Sequence, residues 1–224
     1  MVSKLKYKLQ AFLSRYKWFN KYKFSSIYVN DGFNHNTQSP SKSGPGSDLI
    51  QTEEIRKKLP EILSDYNIKS LLDLPCGDFY WMKNLDLSDV FYLGGDIVSS
   101  IIKNNNSNYK TNNITFKEID IVNDALETVD LIIVRDLFVH LKYSQVFKAI
   151  ENIKSSNSKY LLVTSFVDFN ENKDIKISSQ WRPLNMEKAP FNFPKPLINI
   201  NEKCKEANGK FKDKSLLLFN INEL

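Results

Sequence analysis

The sequence predicts an α/β fold, an open and mostly parallel sheet covered by helices on both faces. Three observations carry this. Five short apolar runs alternate with helical stretches, the fourth run is apolar almost throughout, and the first four each end in an acid. Strands joined by crossover helices pair in parallel, and a strand covered on both faces loses the polar alternation of a half-exposed one. The composition agrees: 224 residues, 42% hydrophobic and 25% charged, suit one domain with a full core and exclude a disordered or low-complexity chain. No apolar run approaches the ~18 residues that a membrane span requires. The 2 cysteines, Cys76 and Cys204, exclude a disulfide framework and a Cys-rich zinc site, so a reduced cytoplasmic protein is the expectation.

The amino-terminal elements come first. From Met1 to Lys23 the chain carries seven bases (Lys4, Lys6, Lys8, Arg15, Lys17, Lys21, Lys23) and no acid. Leu5, Leu9, Phe12, Leu13 and Tyr16 recur at helical spacing, which predicts an amphipathic helix without the features of a secretory signal. Such a helix packs on the domain or a partner protein, or lies on an anionic membrane surface; with net charge +5, nucleic acid is the third reading. Residues 30–47 read as a loop, with Asn30-Asp31-Gly32, Ser39-Pro40 and Ser43-Gly44-Pro45-Gly46-Ser47 supplying turn chemistry. Ser47 or Asp48, with Gln51, can cap the next helix, whose apolar face is Ile55, Leu59, Ile62, Leu63 and Tyr66; Pro60 is expected to kink it or start a new turn. The chain thus divides into a basic helix and linker, residues 1–43, and an α/β domain, residues 44–224.

From Ile68 the strands follow: Ile68 to Asp73, Val90 to Asp96, Ile114 to Asp120, Asp130 to Asp136 and Tyr160 to Phe166. The clearest helix between them carries Val146, Phe147, Ile150 and Ile153 behind a Ser144 cap. The Asn-rich stretch 99–113 is a poor helix by propensity. Residues 167–196 break the rhythm with four prolines among Trp181, Phe191 and Phe193, an ordered cover in an otherwise compact domain. Leu197 to Asn201 and Ser215 to Ile221 read as two further strands.

Ligands of an open α/β sheet bind at the carboxyl ends of its strands, near the point where strand order reverses. Asp73, Asp96, Asp120 and Asp136 occupy that edge. The first turn, Asp73-Leu74-Pro75-Cys76-Gly77-Asp78, lacks both G-x-G-x-x-G and G-x-x-x-x-G-K-[ST], which excludes a dinucleotide fingerprint and a P-loop. Its acids repel a pyrophosphate and suit a ligand with a cationic end.

Asp73 to Trp81, D-x-P-C-G-D-x-x-W, resembles the first motif of class I methyltransferases that use S-adenosylmethionine (SAM), in the variant with Pro for the first glycine. Asp96 stands 23 positions after Asp73, where these enzymes place the acid that holds both ribose hydroxyls. Glu118-Ile119-Asp120-Ile121 resembles the adenine motif, and Asp130 to Leu141 the fourth motif with its following helix. The resemblance implies a Rossmann-like fold, with a seven-stranded, mostly parallel sheet whose last strand is antiparallel. It implies SAM as cofactor, held by Asp73, Pro75, Gly77, Asp78, Trp81, Asp96, Ile97, Asp120, Ile121 and Arg135. All of these lie after residue 43, so residues 1–23 are expected to be dispensable for cofactor binding. Ser43 to Ser47, Trp181-Arg182-Pro183-Leu184-Asn185 and Asn201-Glu202-Lys203-Cys204 are similar to a small bacterial subgroup associated with surface-polysaccharide biosynthesis. That implies a sugar, sugar-phosphate or nucleotide-sugar hydroxyl as acceptor.

Methyl transfer is an in-line displacement at an activated sulfonium carbon, so the protein must align the acceptor and take its proton. Asp136 and His140 are the candidate catalytic pair, Trp181 and Arg182 the candidate acceptor contacts; Arg135 and Arg182 are also candidates for an acceptor phosphate. No metal is expected. An RNA or DNA N-methyltransferase is the alternative, against which Arg135-Asp136-Leu137-Phe138 lacks the proline motif that stacks a flipped base. A SAM-binding, non-catalytic partner protein is the other. The expected partners are a small-molecule or glycan acceptor, with a peripheral membrane or protein contact through residues 1–23.

Overall fold

The computed structural model describes residues 9–10, 12–13, 16–30, 39–177 and 179–224. Lys4, Lys6, Lys8, Arg15, the helix position Leu5 and the Asp31-Gly32 part of the first turn lie outside the described residues. Seven strands form one sheet: β1 (Ser70–Asp73), β2 (Phe91–Asp96), β3 (Ile114–Glu118), β4 (Leu131–Val134), β5 (Tyr160–Phe166), β6 (Ile198–Asn201) and β7 (Lys214–Asn220). Their order is β3-β2-β1-β4-β5-β7-β6. Neighbours from β3 to β5 pair in parallel, while β7 runs antiparallel to both β5 and β6. This is the sheet that the sequence implies, with every expected strand in place.

Side chains alternate across the sheet with the period of two that an extended chain imposes. Leu72, Ile132, Val134, Leu161, Val163, Leu217 and Phe219 point to one core, and Leu71, Leu131, Ile133, Leu162, Leu216 and Leu218 to the other. Helix α2 (Glu53–Asp65) covers the second core with Ile55, Leu59, Ile62 and Leu63. It starts later than the sequence suggested, because Asp48 turns back on itself to accept from the Ile50 N–H at 3.0 Å, and it runs through Pro60 as one helix. Helix α3 (Ser99–Tyr109) forms despite its asparagines because they have partners: Asn105 donates to the Gly77 carbonyl at 2.8 Å and Asn106 to that of Phe116 at 2.9 Å. Helix α4 (Tyr143–Ser155) covers the first core with Val146, Ala149, Ile150 and Ile153. Ser144 lies inside it rather than capping it; Asp174 Oδ1 accepts from the Tyr143 N–H at 2.9 Å instead.

The amino-terminal segment departs most from expectation. Leu9, Phe12 and Tyr16, placed by periodicity on a packed stripe, are exposed. Tyr16 is extended and a separate helix, α1 (Lys17–Val29), begins after it. This helix buries Phe19, Asn20 and Phe24, and two ion pairs dock it on the domain, Lys17 to Asp124 at 2.5 Å and Lys21 to Glu118 at 2.6 Å.

Residues 168–196 are a structural layer more than a cover. Ile175, Ile177, Leu184, Met186, Phe191 and Phe193 are buried, and Phe191 packs edge-on to Tyr143 of α4 at 5.3 Å. Arg182 corrects the reading of an acceptor contact. Its guanidinium is buried and donates to the carbonyls of Phe138 and Leu141, both at 2.5 Å, and of Lys173 at 3.2 Å. Burial pushes its pKa down to about 10 against the opposing pull of Asp174, 4.0 Å away. Arg182→Ala should therefore act on stability, leaving three carbonyls without their donor and costing ~3 kcal/mol in urea denaturation. An unchanged midpoint would contradict this.

Candidate active site

A cleft of about 480 Å³ opens at the carboxyl ends of β1, β2 and β4, the point where strand order reverses. Every expected site residue except Arg182 lines it: Asp73, Pro75, Gly77, Asp78, Trp81, Asp96, Ile97, Asp120, Ile121, Arg135, Asp136, His140 and Trp181. Lining the cleft is not the same as facing a ligand, and hydrogen bonds separate the two.

Asp73 ends β1 and Asp96 ends β2, so parallel pairing brings both buried carboxylates to one edge. Asp73 accepts the Tyr92 hydroxyl at 2.8 Å; Asp96 accepts from the Val98 N–H at 2.9 Å and the Gly77 N–H at 3.3 Å. Among the described residues no Lys or Arg pairs with either. Burial lifts the Asp73 carboxyl to about 7 and the Asp96 carboxyl to about 6. Asp120 follows β3, takes the Val122 N–H at 2.9 Å and the Asn123 side-chain amide at 2.7 Å, and is also raised by burial.

Asp78 is engaged otherwise. Its carboxylate accepts from the Ser41 hydroxyl at 3.0 Å, the Lys42 N–H at 2.8 Å and the Ser43 hydroxyl at 3.2 Å, so it holds the loop before α2. Gly77 has φ +52, and a Cβ there would stand 2.2 Å from Ser43 Oγ. The close approach that requires glycine is thus made by this loop. Ser43 in turn shares a hydrogen bond with the Tyr28 hydroxyl at 3.1 Å. Through Asn20, Phe24 and Tyr28, α1 becomes one wall of the cleft; of these only Asn20 falls within residues 1–23, the stretch expected to be dispensable for cofactor binding. No cofactor motif signals this, because the contact joins segments far apart in the chain.

The other half of the cleft holds a buried charge cluster. Arg135 donates to Glu202 at 2.7 and 3.3 Å and to the Gly46 carbonyl at 2.8 Å. Lys214 donates to Asp136 at 2.6 Å and lies 3.3 Å from Glu202. Arg135 is accordingly a clamp between the 45–47 turn and the end of β6, not a free anion site. Burial opposes the charge on Asp136, but Lys214 and Arg135 outweigh it and hold the carboxyl below the usual range. Asp136 has φ +57, a conformation that Asp tolerates better than most residues, and its N–H donates to Thr164 Oγ1 at 2.9 Å. Burial lowers the His140 pKa, against the pull of Asp136, so the ring is neutral near pH 7. Its Nδ1 is 3.2 Å from the Gln180 carbonyl; with the proton there, the lone pair is on Nε2. Beside this pair stand three rings that sequence reading joined only in part. Trp181 meets Phe211 at 4.8 Å and Phe166 at 5.7 Å, and all three line the cleft. Glu206 lines it too.

No family model and no curated protein matches this chain. Among solved structures, the N-methyltransferase NodS from Bradyrhizobium japonicum WM9 is similar, with TM-score 0.54 and 15% identity over 76% of this chain and 96% of that one. The same protein in complex with S-adenosyl-L-homocysteine matches with TM-score 0.50 and 20% identity over 66% of this chain and 74% of that one. The methyltransferase domain of bacterial CtHen1 aligns over 51% of this chain and 66% of its own, with 16% identity and TM-score 0.46. With its strand order, the two NodS matches give the chain the Rossmann-like fold of the SAM-dependent methyltransferases.

The two strand-end acids make a stability signature. Both hold pKa values in the folded protein above the ~3.9 of an unfolded chain, so the native state binds the extra protons. Their contribution to stability is complete below about pH 4 and is lost as pH rises through 6 and 7. Asp73→Asn should be more stable than the parent at about pH 8, by ~2–4 kcal/mol in urea, with the difference shrinking toward about pH 5. A difference that does not vary with pH would contradict the assignment.

Proposed function

We propose that this chain is a SAM-dependent methyltransferase acting on a saccharide hydroxyl. One observation carries the reading: Asp73, Asp96 and Asp120 meet at one end of a cleft whose other end sets His140 and Asp136 beside the Phe166, Trp181 and Phe211 rings. The first two are buried acids with raised pKa values, an acceptor set that fits a ligand bearing a cationic amine and hydroxyls. SAM supplies, when bound, a methyl group already activated for displacement. Asp73 would hold the amine, Asp96 the ribose hydroxyls, and Asp120 with Ile121 the adenine; Asp78 and Arg135 support the walls instead.

At the acceptor end the labour divides between the catalytic pair. Asp136, fixed as an anion by Lys214, accepts from a neighbouring hydroxyl of the acceptor and stabilises charge on the imidazole. His140, neutral at the working pH, takes the hydroxyl proton as methyl transfer proceeds. Aromatic faces suit the apolar face of a sugar ring. Arg135 and Arg182 are both committed to internal partners, so the part of the acceptor entering the cleft is uncharged, and any phosphate of an activated sugar stays outside it. A role in surface-glycan synthesis follows from that acceptor class and from the sequence resemblance.

Asp96→Ala should weaken SAM binding by roughly 3 to 5 kcal/mol, the loss of two charge-assisted hydrogen bonds, measured by calorimetry on a folded variant. Trp181→Ala should reduce turnover while leaving SAM affinity within about twofold, in a screen of sugars and sugar nucleotides with labelled SAM. Normal SAM affinity in the first variant, or methylation of amines alone in the screen, would overturn the reading.

A further inference from the structure

We propose that the outer face of α1 seats this protein on an anionic lipid bilayer. The helix has two faces. Inward, Phe19 and Phe24 are buried, and Phe24 and Tyr28 reach the cleft. Outward, Trp18, Tyr22, Ser25 and Val29 follow one another at spacings of four, three and four, a single stripe on an α-helix. Trp18, Tyr22 and Val29 are 59%, 65% and 81% exposed, and Leu9, Phe12 and Tyr16 upstream are exposed as well. The domain packs nothing against this stripe among the described residues. Trp and Tyr favour the membrane–water boundary, where the ring is apolar and the N–H or O–H stays wet.

Charge selects the occupant. Of the seven bases between Met1 and Lys23, Lys17 and Lys21 are paired with Asp124 and Glu118 and dock the helix. Lys4, Lys6, Lys8, Arg15 and Lys23 add positive charge along the same stretch, with no acid among them. A sequence stretch rich in bases and free of acids, carrying an exposed apolar stripe, matches an anionic headgroup layer over its acyl boundary. A second copy meeting this face symmetrically would set basic stretch against basic stretch. A nucleic acid would use the bases but not Val29 or Leu9. No helix among the described residues is long and apolar enough to cross a membrane, so the seat is peripheral.

The test sediments the full chain with phosphatidylcholine vesicles, with and without phosphatidylglycerol. Binding should require the anionic lipid and fall about fivefold between about 0.1 and 0.5 M salt as screening shortens. The Trp18→Ser/Tyr22→Ser double variant should bind about tenfold more weakly with unchanged melting. If that variant does not fold, Val29→Ser at the far end of the stripe should lower binding alone. Equal sedimentation without phosphatidylglycerol, or full binding by variants that fold, would overturn the proposal. So would a lipid-free dimer or an RNA complex that the same substitutions abolish.

Discussion

The burial of two carboxylates at the ends of adjacent parallel strands is the constraint on which the rest of this structure turns. Asp73 and Asp96 come together because β1 and β2 pair in parallel with Asp73 opposite Gly94. Neither has a cationic partner among the described residues, and desolvation holds both well above the usual carboxylate range. A buried acid in that condition costs stability, and a ligand that brings a cation and hydrogen-bond donors recovers it. The surrounding elements can be understood as what keeps these acids dry: Tyr92 beneath, Trp81 and the 44–47 loop at the side, α1 along one wall.

A second set of buried charges is arranged on the opposite logic. Arg135, Asp136, Glu202 and Lys214 neutralise one another almost completely. Such a cluster adds little net stability compared with apolar packing, yet it fixes Asp136 in a left-handed conformation and ties the 45–47 turn to the edge of β6. One end of the cleft therefore holds acids waiting for a cation, and the other holds acids already satisfied. On the proposed function, the first end takes the cofactor and the second presents Asp136 and His140 to the acceptor.

Much of this was legible in the chain. Short apolar runs bounded by turn residues located all seven strands, and acids at strand ends stand out because a strand's end is visible in sequence. The contacts that reassign residues were not. Arg135 pairs with Glu202 across 67 positions, and Lys214 pairs with Asp136 across 78; no local pattern announces either. Arg182 reads as a free cation beside an aromatic because the carbonyls it satisfies carry no side-chain signature. In α1, the packed stripe falls on Phe19, Asn20 and Phe24 because Tyr16 breaks the helix, and an extended residue leaves no mark on apolar periodicity.

The most direct measurement is the proton balance of cofactor binding. Titrating S-adenosylhomocysteine into the protein near pH 6.5, in buffers of different ionisation enthalpy, reads both affinity and protons exchanged. A cationic amine against Asp73 drives its carboxyl, poised at about 7, into the ionised form, so binding should release roughly three-quarters of a proton. The release should vanish toward pH 8.5, about 1.5 units above that pKa, where the acid is already ionised. Binding with no proton released at either pH, or no binding at all, would contradict the account.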